Sequence, residues 1–194
     1  MRGAPRWAAM LLAGLALLAA ACGSSGSRKA AAPNPNAGEV TPPGDIPDNQ
    51  VFVRYSPAGA GYTLEYPEGW VQQHADGTTT FTKNLNKIAV TSTARGAAPT
   101  TAGVERVDVS KLRSTPGFEL VKVDTVMRSA GRAIHIVYGA TSTPDPVTLK
   151  RVALDGERYL FWRNGKLVTI ILETPHGSDN VDAWRTITNS FAWR

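Results

Sequence analysis

The chain has 194 residues, enough for one ordinary domain once a targeting segment and a linker are set aside. Its 42% hydrophobic content is that of a globular protein, and 19% charged residues excludes an acidic disordered chain or a charged coiled coil. The formal net charge of +5 includes Arg2 and Arg6; without them 19 basic residues face 16 acidic ones, scattered with no basic run, so no nucleic-acid partner is expected.

Arg2 and Arg6 precede an apolar or small stretch, Trp7 to Ala21, that ends in Ala19-Ala20-Ala21-Cys22. A charged start, an apolar middle and a small-residue end are the parts of an export signal, expected over residues 1–21. The run falls short of the roughly 20 apolar residues of a membrane span and stops against Gly23-Ser24-Ser25-Gly26. Its end resembles the bacterial lipobox, in which a lipid transferase modifies the cysteine and a peptidase cuts before it. The motif prefers Leu three places before the cysteine, where this chain has Ala19. Cys22 is the only cysteine, so no internal disulfide is available to it, and lipidation gives an otherwise exposed thiol a use. The competing reading is an ordinary signal peptide with an incidental cysteine. Lipidation makes Cys22 the mature N-terminus and holds the protein on the extracytoplasmic face of the cell membrane. One acyl chain anchors only reversibly and two or three hold firmly.

Residues 22–50 contain Pro33, Pro35, Pro42, Pro43 and Pro47 among Ser, Gly, Ala and Asn, with almost no large apolar residue before Ile46. They read as a tether that cannot bury enough surface to offset its ordering entropy. A single domain is expected over residues 51–194.

That domain reads mostly as strands. Val51–Tyr55 and Tyr62–Tyr66 flank a Pro/Gly loop, and Thr79–Thr82 and Lys87–Thr93 follow. Phe118–Met127 and Arg132–Ala140 alternate around Ser129-Ala130-Gly131. Asp155-Gly156 and Asn164-Gly165 are dipeptides of two-residue type I′ turns, so they are expected to divide three strands, Val147–Leu154, Glu157–Arg163 and Lys166–Thr174. Leu167 to Leu172 is apolar at five of six positions, which demands cover on both faces of the sheet. Two helices supply it. One starts at Ser178 or Asp179 and aligns Val181, Trp184, Ile187 and Phe191. The other, Thr101–Ser114, splits its apolar residues between Val104 with Val107 and Val109 with Leu112. The fold class expected is α+β, an antiparallel sheet flanked by helices in an αβα sandwich.

The run Gly61-Tyr-Thr-Leu-Glu-Tyr-Pro-Glu-Gly-Trp70 resembles the opening hairpin of PsbP-like domains, where a strand ends at a Tyr-Pro-x-x-Trp turn. Gly156 to Leu160, Asn164 to Leu167 and Trp184 to Phe191 are similar to the closing hairpins and last helix of lipoproteins of high-GC bacteria that carry this domain, including the LpqN-type lipoproteins. The resemblance spans residues 51–194 and implies an αβα sandwich. Members are accessory or binding modules, among them photosystem extrinsic subunits, a Ran-binding protein and envelope lipoproteins. It implies no active site, and fold alone does not select a function.

The residues themselves offer little chemistry. His74, His135 and His176 lack an i+4 partner or the Cys and carboxylate spacings of a zinc site, so no metal is expected. His176 with Asp179 and Asp182 is the best local cluster, but acids in a helix's first turn answer its dipole; His135 reads as packed in a strand. No Gly-x-Ser-x-Gly elbow, P-loop or dinucleotide glycine pattern occurs, so no catalytic residue and no cofactor is assigned. Asp145, between Pro144 and Pro146, reads as a turn residue. Trp70 and Trp162 are the aromatics to inspect for a pocket, with a core role the simpler account. The function expected is a non-catalytic binding or accessory module for an envelope lipid, glycan or protein; the alternative is an extracytoplasmic hydrolase.

Overall fold

The computed structural model describes residues 44–194; the signal segment and Cys22 lie outside them. Seven strands form one antiparallel sheet: β3 (Val71–Ala75), β4 (Thr78–Lys83), β5 (Asn86–Ala94), β6 (Glu119–Arg128), β7 (Gly131–Thr141), β8 (Ala153–Arg163) and β9 (Lys166–Pro175). Their order is β3-β4-β5-β9-β8-β7-β6. β1 (Phe52–Tyr55), β2 (Tyr62–Pro67) and β10 (Ala192–Trp193) make a small second sheet in the order β1-β2-β10.

The long apolar runs that demanded cover on both sides receive it. On one face Phe81, Ile88, Val90, Phe161, Val168 and Ile170 pack against the small sheet and the C-terminal helix, Val181–Ser190. On the other, Ile134, Ile136, Tyr138 and Leu160 pack against the mid-chain helix. The architecture is the expected α+β one, an antiparallel sheet with a helix on each face.

The mid-chain helix resolves the split seen in its apolar residues. It is α-helical over Thr101–Val104, π-helical over Glu105–Val109 and α-helical again over Ser110–Leu112. One wider turn absorbs the five-residue step from Val104 to Val109, so both are buried with Leu112 while Val107 stays 43% exposed.

Three expectations are corrected. Asp155-Gly156 is not a turn: β8 runs unbroken from Ala153 to Arg163, with Asp155 opposite Gly139 and Gly156 opposite Tyr138. A Cβ at Gly156 would stand 2.4 Å from Cζ of the Tyr138 ring, so this glycine is there for close approach. The strand expected from Val147 therefore begins only at Ala153, and the segment before it turns around Asp145, whose Oδ1 accepts from Val147 N, Thr148 N and Thr148 Oγ1. Second, Gly44 to Gln50, assigned to the tether, includes packed residues. Asn180 Oδ1 accepts from Ile46 N at 2.6 Å and Asn180 Nδ2 donates to Gly44 O at 2.8 Å, and the Ile46 side chain enters the core. Third, the C-terminal helix is preceded by Asn180 rather than capped by Ser178 or Asp179, and Val181 lies 61% exposed. Asn164-Gly165 is a turn as expected, both residues at positive φ, 48° and 79°. Asp76-Gly77, at 49° and 72°, makes an equivalent turn between β3 and β4.

Candidate functional site

The polar centre of the fold lies where β6, β7 and β8 pass beside the C-terminal helix. Asp124, His135 and Tyr159 stand side by side across the sheet, with Glu157 two residues from Tyr159 on the same face. His135 Nδ1 meets Asp124 Oδ1 at 3.1 Å and Nε2 meets Glu157 Oε2 at 2.8 Å. A neutral imidazole donates through one nitrogen only, so the ring satisfies both carboxylates only as a double donor. Tyr159 donates its hydroxyl to the same Glu157 oxygen at 2.5 Å and stacks on His135 at 4.4 Å. Arg128, at the end of β6, donates to the Tyr159 hydroxyl at 3.0 Å and through Nε to Thr188 Oγ1 of the helix at 2.9 Å. The network thus ties the edge strand to the helix.

Burial works to raise the Glu157 carboxyl's pKa, but hydrogen bonds from His135 and Tyr159 and the charges of His135 and Arg128 outweigh it and hold it below the ordinary value. Asp124 is likewise held low, with burial opposed by Lys122 and His135. Tyr159 is pushed up by burial and by the Glu157 carboxylate.

Beside this network lies a groove of about 250 Å³, with Val121, Val137, Gly156 and Trp184 supplying apolar surface and Asp155 and Glu157 also in its lining. A break in register between Leu120 and Lys122 leaves Val121 as the extra residue of a bulge, and bulges re-aim side chains in this way. Glu157 Oε2 takes both donors, which leaves Oε1 without a hydrogen-bond partner among the described residues. The Ser178 hydroxyl at the groove's end is buried and unpartnered. A concave, largely apolar slot with a few convergent polar atoms is the form small-ligand sites take.

The residues singled out in the sequence are dispersed. His135 is packed, as its strand position predicted. His176 is exposed and pairs through Nδ1 with Asp155 Oδ1 at 2.8 Å, not with Asp179 or Asp182. That hydrogen bond and the Asp155 charge raise the His176 pKa. Ser178, two residues on, makes no hydrogen bond to it. Trp70 is core, and Trp162 donates Nε1 to Arg95 O at 2.8 Å. Among the described residues no group of three His, Cys, Asp or Glu side chains is placed to hold a metal ion; the His135 nitrogens each face a separate carboxylate. The Glu157 groove is not legible in the sequence, because its walls come from four strands and a helix.

No protein-family model matches the chain, and no curated protein matches it in sequence. Solved structures are similar at low identity. A Bacteroides thetaiotaomicron protein is 12% identical with a TM-score of 0.48; the match covers 73% of this chain and 48% of that one, so this chain spans about half its length. Cyanobacterial PsbP of Synechocystis is 16% identical over 78% of this chain and 98% of its own, TM-score 0.48. LpqN of Mycobacterium tuberculosis, involved in cell envelope biogenesis, is 13% identical over 75% of this chain and 85% of its own, TM-score 0.41. The likeness is one of fold and says nothing of activity or partner.

Proposed function

We propose that the chain is an extracytoplasmic lipoprotein, held to the cell membrane by acyl chains on Cys22, whose domain is a non-catalytic binding or accessory module for an envelope lipid, glycan or protein. The observation that carries this reading is the lone cysteine placed at the end of a charged and then apolar leader, directly after three alanines. The groove beside Glu157 supports the binding role, since it offers apolar surface and an unpartnered carboxylate oxygen.

A hydrolase is the second reading, favoured by the Asp155–His176 pair, whose imidazole is 72% exposed and acid-oriented as a general base is. Labelling the purified chain with a fluorophosphonate probe separates the two. The binding module gives no serine adduct. An adduct that disappears in His176→Ala establishes the hydrolase.

A further inference from the structure

The basic residues that look scattered in the sequence converge at one end of the domain. The β8–β9 turn presents Arg163 and Lys166, one on each side of Asn164-Gly165. β10 brings the last residues to the same place: Trp193 pairs with Tyr62, and Arg194 N donates to Gly61 O at 2.9 Å. Lys166 Nζ donates to Ala60 O at 2.8 Å, so the loop before β2 joins the turn to the C-terminal strand. The result is a shallow depression of about 190 Å³ lined by Gly61, Arg163, Asn164, Lys166, Trp193 and Arg194. Its charged side chains are three cations. Among the described residues, the ion pairs include none of these three, whereas nearby Arg95 is neutralised by Asp108 at 3.2 Å.

We propose that this end of the domain, formed by Arg163, Lys166, Arg194 and Trp193, is a binding surface for a phosphate-bearing anionic polymer. Guanidinium forks match phosphate oxygens bidentately, and a lysine between them adds a point charge. Cations spaced around an open depression fit successive phosphates of a chain better than one enclosed anion. Trp193, half-buried beside them, offers an apolar wall for the neutral unit between phosphates.

The position of the surface favours a polymer over the anchoring membrane, a step that rests on the Cys22 anchor proposed above. Gly44, where the described chain begins, lies against Pro175 and Ser178, at the far end of β9 from Lys166. Ten strand residues separate the two ends, roughly 30 Å at about 3.3 Å per residue. Gly44, the first described residue on the way back to Cys22, and the basic surface thus stand at opposite ends of the sheet.

The test is the binding of a fluorescently labelled short polyphosphate to the purified full chain, followed by anisotropy as salt is raised. The expected result is binding whose affinity falls with salt, the slope reporting about three neutralised charges. An Arg163→Gln/Arg194→Gln double variant loses about tenfold in affinity and roughly two units of that slope; Lys150→Gln/Arg151→Gln leaves both unchanged. Because Arg163 and Arg194 are exposed, the double variant keeps the wild-type melting temperature. No binding at low salt, or binding equal in the double variant, overturns the proposal. So does sedimentation with phosphatidylglycerol vesicles that requires the two arginines, which makes the surface a membrane contact instead. The assay needs no lipid on Cys22, so its failure is distinct from failure of the anchor.

Discussion

At the scale of single residues, Glu157 joins the parts of the candidate site. Its Oε2 accepts from His135 and Tyr159, and the residue also lines the groove. Its pKa is depressed in the folded chain, so its stabilising contribution is fully present above the ordinary value of 4.5 and is lost as pH falls through the lower folded value. Glu157→Gln removes that titration. Thermal melts should show the variant less stable than wild type by about 2 kcal/mol at neutral pH, with a flatter loss of stability on the acid side. Equal acid limbs in the two proteins would mean that the carboxylate is not engaged as described. Little of this was legible in the sequence. His135 in a β run announced burial, but its acids come from neighbouring strands, and a cross-strand row depends on register that composition does not encode.

Secondary-structure elements are legible in the sequence where their signals are local, and are obscured where a tertiary contact decides. Alternating apolar residues marked β6 and β7, and Asn164-Gly165 marked the β8–β9 hairpin, because both signals are local. Asp155-Gly156 carries the same turn signal, yet Gly156 lies in mid-strand because the Tyr138 ring occupies the place of a side chain. A dipeptide cannot reveal which of glycine's two uses, positive φ or close approach, applies. The mid-chain helix shows another such limit: its 104-to-109 step fits no regular helix and makes sense only with the π turn. That geometry makes opposite predictions for two chemically identical residues. Val109→Ala, at a fully packed site, should cost about 2 kcal/mol in urea unfolding, whereas Val107→Ala, on the exposed side, should cost less than about 0.5 kcal/mol. Similar costs at both positions would show that the helix does not carry the wider turn.

On the scale of the whole molecule, the two ends of the sheet differ. One end holds Gly44 beside Pro175 and Ser178, where the chain back toward Cys22 departs; the other gathers Arg163, Lys166 and Arg194. This polarity arises only when β10 pairs with β2 and sets the last residue beside the β8–β9 turn, so a sequence scan for basic runs passes over it. The groove near Glu157 lies at the Gly44 end, where Thr174, Ser178 and Asn180 contribute to its lining. The proposed function stands or falls with the anchor. Intact mass and membrane fractionation of the full-length chain, set against Cys22→Ser in a host that processes lipoproteins, test that anchor directly. The account predicts a wild-type protein that starts at residue 22, carries the added mass of acyl chains and stays with the membrane, while the variant does neither. Wild type and variant equally cleaved and equally soluble would contradict it.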